Sequence, residues 1–356
     1  MTSILETIQD STLRQWLSEF KNEYTKGSYR TGLRCFKQKL GIKDLGEYLK
    51  GNPDVVGDVR KFLAALEGRP SKTVANYVGG VRMFLQDHDI QLDDKTWRKL
   101  RRRGFMPKRV HAETKDKKPS KAQLKQILNF ADIKCRSLVL FLVSSGARIG
   151  ETLQLLIEDF HLDADPPSVD IRDEYTKGGV GGRTVYFSYE ARDAIRDWLK
   201  VKDTLKRRGT GEPYTGPIMF PFISCTARWM FNTACDKAGI GARDTKTKRR
   251  ILHLHSLRKF FRTKIGLDLD VTHALMGHAE YLDDAYLRLE EAGEIAKAYL
   301  EAMPSVSVYA VEDQELRKQT SVLEEEKQKL EKRVDKLEEA ISELIELKKM
   351  LQKLSD

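Results

Sequence analysis

The sequence predicts a mainly α protein with a small antiparallel sheet, an α+β class in which a helical domain precedes a mixed domain and a coiled coil follows. Three observations carry this expectation. Apolar residues recur at helical spacing on both sides of the chain's centre, two short alternating runs flank a glycine-rich turn, and six leucines near the end stand seven residues apart. With 356 residues, 40% of them hydrophobic, the chain has length for two or three domains and material for real cores.

Residues 1–104 read as helical throughout. Leu13, Trp16, Leu17 and Phe20, and later Val74, Tyr77, Val78, Val81, Phe84 and Leu85, fall at i, i+3, i+4 and i+7. Ser71 or Thr73 suits the N-cap of the second helix, and Gly27, Gly41, Gly51 and Gly68 punctuate the intervals. Residues 105–118 continue a basic stretch that reads as an interdomain linker. Residues 119–304 mix two periods. Ser120 opens a capped helix (SKAQLKQILNFA), and Ser137 to Val143 is apolar all round, as in a helix at the centre of a domain. Two alternating runs, 168–176 and 183–188, enclose Lys177-Gly178-Gly179-Val180-Gly181-Gly182, which predicts a β-hairpin with a long, glycine-loosened tip. Helical patterns resume at Tyr189 and run to about Met303. In the tail, 305–356, Leu316, Leu323, Leu330, Leu337, Leu344 and Leu351 form an unbroken heptad series, with Thr320, Lys327, Val334, Ile341 and Lys348 four residues after the first five. This pattern favours a two-stranded parallel coiled coil, and so a dimer; a long helix packed back on its own chain is the alternative.

Charge is unevenly distributed. The formal net charge is +10; the stretch from Arg98 to Lys118 alone carries +8, and the tail from Val311 carries −3, which leaves the first 310 residues at +13. A basic linker can lie along phosphates and release counterions, so Arg101, Arg102, Arg103, Lys108 and Arg109 are candidate DNA contacts; a solvated linker without a partner is the competing reading. Arg30, Arg34, Lys37, Lys39, Lys72 and Arg82 suit a DNA backbone or an ordinary helix-bundle surface equally. No stretch approaches the ~18 consecutive apolar residues of a membrane span, and the four scattered cysteines suggest neither a disulfide framework nor a zinc ribbon, so no membrane partner is expected and a cytoplasmic, nucleoid-associated protein is.

Elimination narrows the chemistry. There is no GxxxxGK[ST], no HExxH and no GxSxG, and Gly179-Val180-Gly181 follows a strand without opening a helix. No catalytic metal and no cofactor are expected. What remains are four blocks: Ser145-Gly146-Ala147-Arg148-Ile149-Gly150-Glu151, Lys177 at the hairpin tip, His255-Ser256-Leu257-Arg258, and Met276-Gly277-His278 followed eight residues later by Tyr286. Each alone has an ordinary structural explanation. An arginine paired with Glu151 one turn on is usually structural, a tip lysine is usually solvated, and a lone tyrosine is more often core than nucleophile.

Taken in order, the blocks resemble the tyrosine recombinase (phage integrase) family, and the resemblance covers the chain to about residue 304 as a helical core-binding domain, a basic linker and a catalytic domain. GARIGE matches the family's G-x-R-x-x-E, Lys177 its hairpin-turn lysine, HSLR its H-x-L-R and Met276-Gly277-His278 its L-G-H. Two departures stand out: the tyrosine lies eight rather than nine residues after His278, and Arg258 is followed by Lys-Phe-Phe. The local context is closer to archaeal plasmid and virus integrases than to bacterial ones. The resemblance implies Arg148, Lys177, His255, Arg258, His278 and Tyr286 as catalytic residues with Glu151 in support, and Tyr281 and Tyr299 stay open as alternative nucleophiles. It also implies a specific double-stranded DNA site as partner, a 3′-phosphotyrosine intermediate formed without metal or ATP, and four active sites per joining event, hence a tetramer on DNA; the leucine heptads, outside the resemblance, offer a dimer through the tail as its unit of assembly. A strand-swivelling topoisomerase of the tyrosine type and a non-catalytic DNA-binding or architectural protein are the rival readings.

Overall fold

In the computed structural model the described residues are 10–103, 106, 117–176, 178–207, 210–245, 247–278 and 293–309. The chain divides into two compact units, residues 1–115 with 243–249, and residues 116–242 with 250–356.

The first unit is helical: α1 (Ser11–Ser18), α2 (Glu23–Leu40), α3 (Leu45–Lys50), α4 (Val55–Ala65), α5 (Ser71–Asp87) and α6 (Asp94–Arg102). Its helices start where a short polar side chain satisfies the first free N–H groups: Asp10, Asn22, Asp44, Asp54 and Asp93 each accept from the backbone of the following turn. The periodic residues meet in one core, with Leu13, Trp16, Leu33, Phe36, Phe62, Val81 and Phe84 almost fully buried. Two local expectations fail. Neither Ser71 nor Thr73 caps α5, whose N-cap is Pro70 with no side-chain bond, and Gly27 lies inside α2 instead of ending a helix. Tertiary packing of the apolar face carries a single glycine through a helix, at a cost of about 1 kcal/mol relative to alanine. Lys37, one of the candidate backbone contacts, is turned to the buried Asp10 carboxylate.

The second unit is built around α8 (Ile133–Ser145). Residues Leu138 to Val143 of this helix are each at most 2% exposed, as the all-round apolar run predicts. It is preceded by α7 (Lys121–Asn129), which begins at a capping box in which Ser120 and Gln123 bond each other's backbone N–H. After the short α9 (Ile149–Thr152), strands β1 (Phe160–His161), β2 (Ser168–Ile171) and β3 (Arg183–Tyr186) form an antiparallel sheet in chain order, with Val169 opposite Val185 and Ile171 opposite Arg183. β1 is not anticipated by the sequence patterns because two residues show no period. The paired strands are shorter than the alternating runs: residues 173–175 form a 3₁₀ turn, in which the Asp173 carboxylate and the Thr176 hydroxyl take over the backbone partners. Helices α10 (Tyr189–Lys202), α11 (Ser224–Lys237), α12 (Leu254–Lys264), α13 (Leu269–Leu275) and α14 (Glu294–Val306) complete the unit. Residues 203–223, where the sequence predicts a continuing helical pattern, are largely irregular and pack through Tyr214, Met219, Phe220 and Phe222 around Trp198. No helix among the described residues is long and apolar enough to cross a membrane. The leucine heptads lie outside the described residues.

Candidate active site

The site grows from the end of α8. That helix ends at Gly146, in the left-handed region at φ 65°, whose N–H returns to the Leu142 carbonyl. A Cβ on Gly146 would lie 2.3 Å from the Phe261 ring. Gly146→Ala is therefore expected to lower stability by roughly 1 to 2 kcal/mol from the backbone alone, with the ring clash in addition. Urea unfolding measures it.

The turn delivers Arg148 to the N-cap of α9, and Glu151 one turn on accepts from the Arg148 backbone and, at 2.6 Å, from its guanidinium. The second carboxylate oxygen of Glu151 accepts from Arg183, the first residue of β3, at 2.8 Å. Arg258, on α12, is 5% exposed and donates to the carbonyls of Gly146 and Met276, each at 2.6 Å. Arg148 donates its other NH₂ to the Gly277 carbonyl at 2.7 Å, and Arg183 donates Nε to that of Leu275 at 2.8 Å. Three guanidinium groups thus hold three consecutive carbonyls, 275 to 277, where α13 ends and the chain turns toward His278. The helix end supplies partial negative charge that suits them.

Electrostatics follow from this crowding. Burial, then the Arg148 charge, pulls the Arg258 guanidinium down to about 9, so it is still charged at neutral pH. Burial pushes the Glu151 carboxyl up, but the Arg183 and Arg148 guanidinium groups outweigh it and hold the group below the usual carboxylate range. Among the described residues, Glu151 is the carboxylate facing these three guanidinium groups, so the cluster keeps a positive excess. Burial and the neighbouring Arg258, His273 and Arg148 lower the His278 imidazole, which favours its neutral form with one N–H donor. Its ring lies 4.9 Å from that of His273.

The Glu151 shift sets a sign for stability. A carboxyl lowered in the folded state contributes stability that is full above the unfolded value of about 4.3 and is lost as pH falls through the folded value. Urea midpoints of the native chain and Glu151→Gln are expected to converge as pH drops from 6 to 3.

Of the residues singled out from the sequence, Arg148, Glu151, Arg258 and His278 are brought together. His255 is on α12, one turn before Arg258, but exposed, its ring parallel to that of His253 at 6.2 Å. Arg101, Arg102 and Arg103 are exposed at the end of α6. Lys177, Tyr281, Tyr286, Lys108 and Arg109 lie outside the described residues. The turn flanking Lys177 is hydrogen-bonded to itself, Thr176 Oγ1 to the Val180 carbonyl and Gly182 N–H to Asp173, each at 2.7 Å, and Gly178, Gly179 and Gly181 supply its positive φ angles. Tyr299 is fully buried on α14, with its hydroxyl donating to the Ser144 carbonyl at 2.8 Å, and is part of the core. The sequence blocks miss Arg183. Its signal in the sequence is a charge in phase with Val185 and Phe187, the apolar positions of its strand.

Residues 119–282 match the phage integrase family. The fold is similar to that of the Tn1549 transposon integrase in complex with transposon right end DNA (TM-score 0.53, 16% identity, covering 79% of this chain and 97% of that one). It is likewise similar to that of a lambda integrase tetramer bound to a Holliday junction (TM-score 0.53, 11% identity, 75% of each chain). No curated protein matches the sequence. The segment 119–282 is a domain of the phage integrase family, the tyrosine recombinases.

Proposed function

We propose that the chain is a site-specific DNA recombinase that exchanges strands through a 3′-phosphotyrosine intermediate, with Tyr286 as nucleophile and Arg148, Arg258, His278, His255 and Lys177 as its assistants. The observation that carries this reading is the convergence of Arg148 and Arg258 on adjacent carbonyls beside His278, at the turn that leads into the segment containing Tyr286. Attack on a phosphodiester adds negative charge to the non-bridging oxygens, and preorganised donors offset that charge most where water is excluded. Guanidinium groups suit the task because they bind phosphate oxygens in a planar fork and keep their charge.

The phenol oxygen of Tyr286 forms the new P–O bond as its proton passes to a base, for which the exposed His255 is the candidate. A phenol with an ordinary pKa of about 10 needs such a base at neutral pH. The bond to the 5′ oxygen breaks, and that oxygen takes a proton from Lys177. One phosphate ester replaces another, so the reverse attack by a 5′-hydroxyl reseals the strand without ATP.

The test is covalent trapping. A pool of nicked duplexes of randomised sequence, cut so that the released strand diffuses away, is incubated with the full chain. A DNA-linked tyrosyl peptide that maps to Tyr286 supports the reading, and no linked species removes it. Exchange of strands between two labelled copies of the trapped duplex separates recombination from swivelling.

DNA binding and self-assembly go with the family's structural relatives, which are DNA complexes and a tetramer. The finer proposal is a dimer through the leucine heptads and a tetramer on a specific site, with the linker arginines 101–103, Lys108 and Arg109 along the phosphate backbone. Deleting residues 311–356 is expected to halve the solution mass by light scattering. An unchanged mass removes the heptad dimer.

A further inference from the structure

We propose that Arg183 is a positioning residue of this site, which orients Arg148 through Glu151 and joins the base of the hairpin to the turn before His278. The proposal rests on the recombinase reading of the site. Arg183 does not itself meet a phosphate: its side chain is fully buried. Its donors reach three different parts of the chain, Glu151 Oε2 on α9 at 2.8 Å, the Leu275 carbonyl at the end of α13 at 2.8 Å, and the Gly181 carbonyl in the hairpin at 3.2 Å.

Glu151 divides its two oxygens between the two arginines, Oε1 to Arg148 and Oε2 to Arg183. A carboxylate held on both sides has one orientation, and the guanidinium of Arg148, whose side chain is 36% accessible, inherits it. Without Arg183 the carboxylate is free to rotate with Arg148, and the planar fork that would meet the phosphate loses its aim. Gly277 shows how tightly the arrangement is built: at φ 70° it lies so close to Arg183 that a Cβ would stand 2.4 Å from the guanidinium carbon.

Stability alone is a poor reason for this arginine. A buried ion pair is often no more stabilising than apolar residues of the same volume, and position 183 is in phase with the apolar positions of β3. What an apolar residue would not supply is direction for Glu151 and two bonds to segments 32 and 92 residues away. Charge matters as well. The groups facing Glu151 are Arg148 from its own helix, Arg183 from β3 and Arg258 from α12, and Arg183 is the strongest influence keeping the carboxyl ionised against its burial. Loss of Arg183 lets that carboxyl rise, and a protonated Glu151 holds Arg148 weakly.

The experiment uses the full chain and the duplex recovered by covalent trapping, and follows single-turnover adduct formation, DNA affinity by gel shift, and the rate from pH 3.5 to 8. Arg183→Gln is expected to slow adduct formation by about 10²-fold, the effect of a small misplacement at a reacting centre, with DNA affinity unchanged within a small factor. The acid limb of its pH profile is expected to move to higher pH. In an Arg148→Lys background the same change is expected to cost little more, because the two residues act as one unit.

Adduct formation at the native rate, an unmoved acid limb, or a loss that simply multiplies that of Arg148→Lys overturns the proposal. Should the glutamine variant fail to fold, Arg183→Lys decides: it keeps the charge on Glu151 but has one nitrogen for three acceptors, so it is expected to retain the native acid limb and lose part of the rate. A native rate in that variant overturns the proposal. No adduct from the native chain overturns the recombinase reading and this proposal together, whereas a native adduct with an unaffected Arg183 variant overturns this one alone.

Discussion

Tyr286→Phe is expected to abolish the trapped DNA adduct, a loss of about 10⁴-fold or more, because removal of the one atom that forms the new ester leaves only binding and charge stabilisation. DNA affinity is expected to stay within a small factor, since the ring is kept. The control is Tyr299→Phe. Tyr299 is buried against Tyr186, and its hydroxyl is committed to the Ser144 carbonyl at the end of α8. Its loss leaves one carbonyl without that bond and is expected to cost stability, about 1 to 3 kcal/mol, while the adduct still forms. Adduct persisting in Tyr286→Phe and mapping to Tyr281 would move the nucleophile and leave the rest of the site reading intact.

The second large effect is expected from Arg258→Lys, which should slow adduct formation by about 10² to 10³-fold, the range for loss of one preorganised donor to a developing oxyanion. A lysine keeps the charge and removes the fork. Arg258 already holds the Gly146 and Met276 carbonyls with two of its nitrogens. A single ammonium does not span both and also face a phosphate. Burial among other cations costs this guanidinium proton affinity, as its fall to about 9 shows, and an incoming phosphate would offset that cost. The same substitution is therefore expected to weaken binding of the scissile phosphate as well as the chemical step. Single-turnover rates at saturating DNA separate the two. A native rate in Arg258→Lys would remove the electrostatic account of catalysis.

The site also explains why a small glycine change should act at a distance. Gly146→Ala displaces the carbonyl that anchors Arg258, so its effect on adduct formation is expected to exceed what its loss of stability accounts for.

Much of the fold is legible without coordinates because its signals are local. The Ser120 capping box, the buried helix around Leu138 to Val143 and the turn after residue 176 depend on residues within a few positions of one another, and their chemistry acts over that range. Spacing within the blocks likewise indicates Arg148 with Glu151 and His255 with Arg258. The same locality misleads at Gly27 and Ser71, where burial of each helix's apolar face outweighs a weak breaker and a missing cap.

The sequence by itself determined the class of the fold, the family of the 119–282 segment and the identity of the charged groups. Tertiary structure alone decided their grouping. Arg148 reaches a carbonyl 129 residues away, Arg183 one 92 residues away, and Arg258 one 112 residues away. No periodicity records such contacts, since they arise only when α8, β3, α12 and the end of α13 are packed against one core. Tyr299 lies in the core and Arg183 joins the cluster for the same reason: burial and partner belong to the packed chain.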